Sequence, residues 1–225
     1  MTPWTHLGTA VIPNNGGELE LTQRDKEFSI HLKGVRGELM NSRMHSSELA
    51  LSELGCAHVK NTENAKVLVG GMGMGFTLAA ALKAITASSN VVVAELVPEV
   101  IEWNRGPLGE CAGNPLNDSR VILHLGDVAE LFKAKQPAFD AVLLDVDNGP
   151  EGFTHGDNNN LYSLESLSAI RQTLRPRGVL AVWSGWHDPK FTTHLKKAKF
   201  KVQTKTVRAH NGKGNRYTIY LAEKS

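Results

Sequence analysis

Residues 65–82 read Ala-Lys-Val-Leu-Val-Gly-Gly-Met-Gly-Met-Gly-Phe-Thr-Leu-Ala-Ala-Ala-Leu. A short aliphatic run rich in β-branched residues enters four glycines and leaves through alanines and leucines, which are strong helix formers. The pattern predicts strand, tight turn and helix. Glycines in such a turn let the backbone adopt unusual dihedrals and let a ligand approach where a side chain would collide, while the helix N-terminus offers free N–H groups. A glycine-rich turn alone is weak evidence of a binding site, and the next segment strengthens it. Residues 91–96, Val-Val-Val-Ala-Glu-Leu, read as a second buried strand with Glu95 near its C-terminal end, twenty positions after Gly75. A carboxylate placed there accepts hydrogen bonds from a ribose diol. Gly71, Gly73, Gly75 and Glu95 are therefore candidate cofactor-binding residues.

Beyond Gly75 strands and helices alternate, the signature of a parallel sheet covered on both faces. A helix is expected from 76 to about 86, another from Pro98 to about 105, and a third strand over 120–125 that ends in Gly126-Asp127. A helix over 128–135 leads to a fourth strand over 139–145, apolar until Asp145, which emerges where parallel sheets bind ligands. Residues 145–152, Asp-Val-Asp-Asn-Gly-Pro-Glu-Gly, form an acidic loop, and Asp157 with the three asparagines after it is placed to cap a helix over 161–174. A fifth strand over 179–184 and a helix over 189–198 follow. The strands at 200–208 and 216–222 are joined by a Gly/Asn-rich turn, so the last runs antiparallel to its neighbour.

Residues 1–60 stand outside this alternation. Polar and apolar residues alternate over 18–23 and 27–32 about a turn at 24–26, giving a β-hairpin within a sheet of about three strands; a rough helical stripe over 46–58 then leads into the main sheet. The expected architecture is α/β: a mostly parallel Rossmann-like sheet over 61–225 behind a small N-terminal β segment at 1–60, which can act as a lid, a dimer surface or a cap.

A chain of 225 residues, 41% hydrophobic and 21% charged, fits a soluble globular protein, with no apolar run long enough to span a membrane and no secretion signal. The expected location is the cytoplasm. Cys56 and Cys111 are too few for a disulfide framework and the histidines lack metal-ligand spacing, so no metal is expected. From Asp188 onward ten basic residues face two acidic ones, leaving 15 basic against 21 acidic before it. Aromatic residues are not interleaved there, which favours a solvated edge over a nucleic-acid surface.

A strand-glycine-helix unit, an acid after strand two, Gly-Asp after strand three, an Asp after strand four and a closing hairpin together resemble the class I S-adenosylmethionine-dependent transferases. Within that superfamily the chain is most similar to the spermidine synthase family of aminopropyltransferases. The run Leu-Tyr-Ser-Leu-Glu-Ser-Leu at 161–167 and Leu-Arg-Pro-Arg-Gly-Val-Leu at 174–180 carry the likeness, with the small N-terminal β segment. The resemblance implies Asp145 as proton acceptor, Glu95 and Asp127 as ribose and adenine contacts, Glu48 near the family's substrate-contacting tyrosine, and possible dimerisation through the N-terminal hairpin. Met74 stands where the family carries a loop aspartate, and Asp147 follows Asp145 by two residues where the family spaces three.

The implied donor, decarboxylated S-adenosylmethionine or S-adenosylmethionine itself, carries its activation in the sulfonium, so the protein must orient an acceptor and keep it unprotonated. An amine with a pKa near about 10 needs a carboxylate to take its proton and others to anchor its cationic form. Asp145 is the candidate base, with Asp147 and Glu151 drawing in a cationic acceptor and Tyr162 a further candidate for its pocket. Met72 and Met74 either line the methionine end of the donor or are loop hydrophobes; Trp183 and Trp186 either wall the acceptor pocket or pack. Aminopropyl transfer to a small-molecule amine is the leading expectation. Methyl transfer to a small molecule, or donor binding without turnover, are the alternatives.

Overall fold

The structure is a computed structural model and describes residues 2–146, 161–210 and 213–225. Strands β1 (Thr5–Ile12), β2 (Gly17–Arg24), β3 (Glu27–Leu32) and β4 (Met40–Asn41) form an antiparallel sheet in that order. The alternation in β2 and β3 turns Leu19, Leu21, Phe28 and Ile30 into the core. This sheet has four strands where the sequence pattern predicts about three. The added strand, β1, buries only Ala10 and so shows no period of two; it is joined to β2 through Asn14 and Asn15, both at positive φ.

Helix α1 (Ser46–Gly55) leads to a seven-stranded sheet of β5 (Lys66–Gly70), β6 (Asn90–Glu95), β7 (Val121–Leu125), β8 (Phe139–Leu144), β9 (Leu174–Ser184), β10 (Phe200–His210) and β11 (Lys213–Lys224). Their order is β10-β11-β9-β8-β5-β6-β7. Strands β5 to β9 run parallel, and β11 lies antiparallel between β9 and β10. The central strands are apolar on both faces because both are covered. Val67, Val69, Val91, Val93, Ala141 and Leu143 join a core with α1, α2 (Phe76–Ala84), α3 (Pro98–Arg105) and the N-terminal sheet. Their neighbours Leu68, Val92, Ala94, Val142 and Leu144 face α4 (Leu164–Thr173) and α5 (Pro189–Lys197). A one-residue slip would exchange those two sets, and each buried aliphatic side chain contributes roughly 1.5–3 kcal/mol, so register is strongly fixed.

Several local expectations change. The segment after Asp127 is a short 3₁₀ turn, Val128–Phe132, not a helix to 135. Helix α4 starts at Leu164, where the Ser163 hydroxyl accepts the Ser166 amide at 3.1 Å; Asp157 and the asparagines after it lie outside the described residues. Strand β9 begins at Leu174 rather than 179, because a register shift opposite Phe139–Ala141 and a left-handed Arg177 (φ 63°) keep the Pro176 turn within the ladder.

After β5 the chain crosses first toward β6 and later to β8 on the other side. The ends of β5 and β8 thus mark the point where strand order reverses, the usual ligand crevice of an open α/β sheet.

Candidate active site

Three glycines shape the turn after β5. Gly71, Gly73 and Gly75 all have positive φ, at 89°, 49° and 84°, and Gly75 is the N-cap of α2. The loop is held from outside: Asn104 of α3, itself buried, donates from Nδ2 to the Gly73 carbonyl at 2.8 Å. Glu95, at the end of β6, accepts the Met72 amide at 2.9 Å and the Val97 amide at 2.8 Å. Burial raises the Glu95 pKa and these backbone donors oppose the rise. Asp127 follows β7, is exposed, and accepts the Ala129 amide at 2.8 Å as an N-cap. Glu95 and Asp127 therefore end neighbouring strands on the β6–β7 side of the glycine loop.

On the β8 side lies a cavity of about 450 Å³. Met72, Gly73 and Met74 of the loop, Phe76 and Thr77 of α2, Glu48 of α1 and Asp145 line it. The N-terminal sheet adds Glu38 and Met40, and Trp183, Trp186 and Tyr217 close the far wall. Trp183 and Tyr217 are tilted against one another with ring centroids 4.8 Å apart. Met72 and Met74 are both buried against this cavity. Its wall is thus apolar and aromatic, with carboxylates at chosen points.

Asp145 and Glu48 form the chemical centre. The Asp145 amide continues the sheet by donating to Gly70 at 2.9 Å, which aims its side chain out of the end of β8. Its Oδ2 accepts a hydrogen bond from Thr77 Oγ1 at 2.5 Å. Burial, and secondarily the neighbouring Glu48 charge, push the Asp145 pKa up to about 7, against the Thr77 hydrogen bond. Burial also raises Glu48, whose Oε2 accepts from Ser47 Oγ at 2.6 Å. Two carboxylates with no cation beside them among the described residues form a site that gains from receiving a positive charge and can accept a proton near neutrality. Glu38 differs, because Arg43 binds it at 3.1 Å and Asn41 donates to it at 3.0 Å.

The structure brings Asp145, Glu48, Gly73 and Met74 together, with Gly71 and Gly75 shaping the loop. Tyr162 does not line this cavity: it is buried in the core on the other face, edge-on to Phe191 at 5.4 Å between centroids. Asp147 and Glu151 lie outside the described residues. Sequence reading missed Thr77 and Ser47, small hydroxyls that carry no spacing signal. Among the described residues no group of three His, Cys, Asp or Glu side chains could hold a metal, and no helix is long and apolar enough to cross a membrane.

This sheet order, with its antiparallel β11 and a glycine loop followed by acids on successive strands, is that of class I S-adenosylmethionine-type transferases. A sequence model of the spermine/spermidine synthase domain matches residues 48–211, and the chain belongs to that family. It is similar to putrescine N-methyltransferase 4 of Nicotiana tabacum, at 32% identity over 128 residues covering 54% of this chain and 31% of the relative. It is also similar to the polyamine aminopropyltransferase of Korarchaeum cryptofilum (strain OPF8), at 30% identity over 119 residues covering 53% of this chain and 35% of the relative. The matched stretch is thus only about a third of each of these curated relatives. A solved spermidine synthase in complex with the transition state analogue AdoDATO shares the fold with a TM-score of 0.72 and 17% identity, over 96% of this chain and 71% of that one. The spermidine synthase of Thermotoga maritima aligns with a TM-score of 0.68 and 18% identity, over 92% and 69%.

Proposed function

We propose that the protein is a spermidine synthase-like transferase that moves an aminopropyl group from decarboxylated S-adenosylmethionine to a small amine. The observation that carries this reading is the pair Asp145 and Glu48, two half-buried carboxylates with raised pKa values on one cavity beside the glycine loop. The cavity holds an amine, Glu48 attracts its cationic form, and Asp145 takes the proton from the attacking nitrogen. The nitrogen–carbon bond forms as the carbon–sulfur bond breaks, and the sulfur leaves as a neutral thioether with the bonding electron pair. Glu95 and Asp127 are the residues for the ribose and adenine of the donor, and Met74 for its methionine end. Asp147 and Glu151 are assigned to acceptor binding. In this reading residues 1–60 supply Glu48 from a cap and 61–225 hold the donor.

One observation favours methyl transfer as a second reading: the similarity to putrescine N-methyltransferases, together with the uncharged Met72 and Met74 at the loop. Calorimetric titration with each donor separates the two. Tighter binding of decarboxylated S-adenosylmethionine, followed by aminopropyl transfer across a diamine panel, supports the first; preference for S-adenosylmethionine supports the second. Binding of neither overturns both, and donor binding without turnover of any amine points to a non-catalytic homologue. We further place the protein in the cytoplasm, where its free Cys56 and Cys111 stay reduced, as a homodimer formed through the N-terminal sheet. A monomeric mass in solution would overturn the dimer.

A further inference from the structure

Thr77 lies in the first turn of α2 and is 2% exposed. A threonine within a helix commonly bonds back to a carbonyl three or four residues earlier. This one instead reaches across to the end of β8, donating from Oγ1 to Asp145 Oδ2 at 2.5 Å. Its own carbonyl accepts Ser52 Oγ at 2.7 Å, a buried bond from α1. Helix α1 also carries Glu48, so one chain of hydrogen bonds from Ser52 through Thr77 to Asp145 ties the two carboxylate-bearing elements together.

We propose that Thr77 is a positioning residue for proton transfer, its hydroxyl holding Asp145 Oδ2 so that Oδ1 receives the proton of the attacking amine. This rests on the reading of Asp145 as proton acceptor. A hydroxyl donor stabilises the ionised carboxylate, and here it works against burial and against Glu48. Without it a larger share of Asp145 would be protonated at neutral pH, leaving less of it able to act as a base. The other titratable side chains on the cavity among the described residues are Glu38 from the N-terminal sheet, already paired with Arg43, Glu48 from α1, and Tyr217 from β11. None of them offers Asp145 a cation, so the hydroxyl is its compensating group among the described residues.

Thr77→Val removes the donor at nearly constant shape, and Thr77→Ser keeps it. The first measurement needs no ligand: the Asp145 carboxyl is followed by ¹³C NMR across pH in each protein. In Thr77→Val its midpoint should rise by about one pH unit, equivalent to about tenfold in the proton equilibrium, while Thr77→Ser stays near the parent. The second is the pH profile of transfer to a diamine. In Thr77→Val kcat at pH 7 should fall about fivefold relative to the parent, recover toward the parent value as pH rises, and leave KM for the amine little changed. A lower melting temperature with an unmoved midpoint and a parallel pH profile would overturn the proposal and leave Thr77 a packing residue. A shifted midpoint in a protein whose parent transfers nothing to any amine would overturn it by a different route, through failure of the proton-acceptor reading itself.

Discussion

A Cβ placed on Gly71 would stand 2.5 Å from the carbonyl oxygen of Asp145, so these two residues meet backbone to backbone where β5 and β8 end. Gly71 also has φ 89°, a conformation that L side chains rarely adopt. The glycine is therefore required twice, once by its dihedral and once by the approach that places Asp145. Gly71→Ala should lower stability by roughly 2–3 kcal/mol, the sum of strain and displacement, as read by urea unfolding. It should also weaken amine binding in the protein that still folds. A variant of parent stability and affinity would show that the close approach is not needed.

Glu95 combines a proposed ligand role with a visible structural one. Its carboxylate accepts the Met72 and Val97 amides in a buried setting. Glu95→Ala should leave two buried donors unmatched and lower ligand-free stability by roughly 2–4 kcal/mol, since each such group costs about 1–3 kcal/mol. Glu95→Gln keeps an acceptor oxygen and should lose less. Loss of donor affinity alone is thus poor evidence of ribose contact in the alanine variant. The glutamine variant, tested by calorimetry for donor binding at a temperature where it is fully folded, is the decisive one: unchanged affinity would remove the ribose assignment.

What the sequence displays follows from what is local. The glycine turn, Glu95 and Asp145 are legible because each sits at a strand end that a run of apolar residues announces. Glu48 meeting Asp145 is not a matter of spacing; it depends on α1 packing against α2 and the sheet, and only the family resemblance points to it. Ser47, Ser52 and Thr77 look like ordinary small polar residues on helices until their hydroxyls are followed in space. Tyr162 misleads in the opposite direction, since an aromatic next to a helix start serves packing as readily as binding, and here it lies just before the N-cap of α4 and packs on Phe191. Strand β1 escapes because it covers the sheet with a single buried alanine.

The carboxylate pair also sets the pH dependence of the ligand-free protein. In the unfolded chain Asp145 titrates at its ordinary value of 3.8, and in the fold at about 7. Between these values the folded state holds a proton that the unfolded state has released, so stability falls as pH rises through that window and levels off above it. Three pH units correspond to at most about 4 kcal/mol. Asp145→Asn removes the charge and should flatten this slope, melting higher than the parent at pH 8 and little differently at pH 4, even as it abolishes turnover. Equal melting temperatures at pH 8 would show that the pair is not strained when ionised. A saturating diamine should raise the parent's melting temperature most at pH 8, because the ligand brings a cation to the ionised pair.

Helix α1 can bring Glu48 to Asp145 only by lying close on the sheet, and Gly55 permits this. A Cβ there would come 2.3 Å from Leu143 Cδ2 and 2.9 Å from Ala181 Cβ. The leucine methyl can rotate away, but Ala181, fully buried in β9, cannot. Gly55→Ala should overpack this contact, costing about 1–3 kcal/mol, and lift the C-terminal end of α1 from the sheet. Ala181→Gly alone should also destabilise, by opening a small void and weakening a strand. In the double variant the added methyl on the helix occupies the space vacated on the strand, so the two losses should not add. The coupling, read from urea unfolding of the four proteins, should favour the double variant by about 1 kcal/mol or more. If Glu48 is held through this contact, amine affinity should fall in Gly55→Ala and return in the double variant. Additive losses would mean that α1 is positioned from its other contacts, chiefly α2, and that Gly55 merely tolerates the approach.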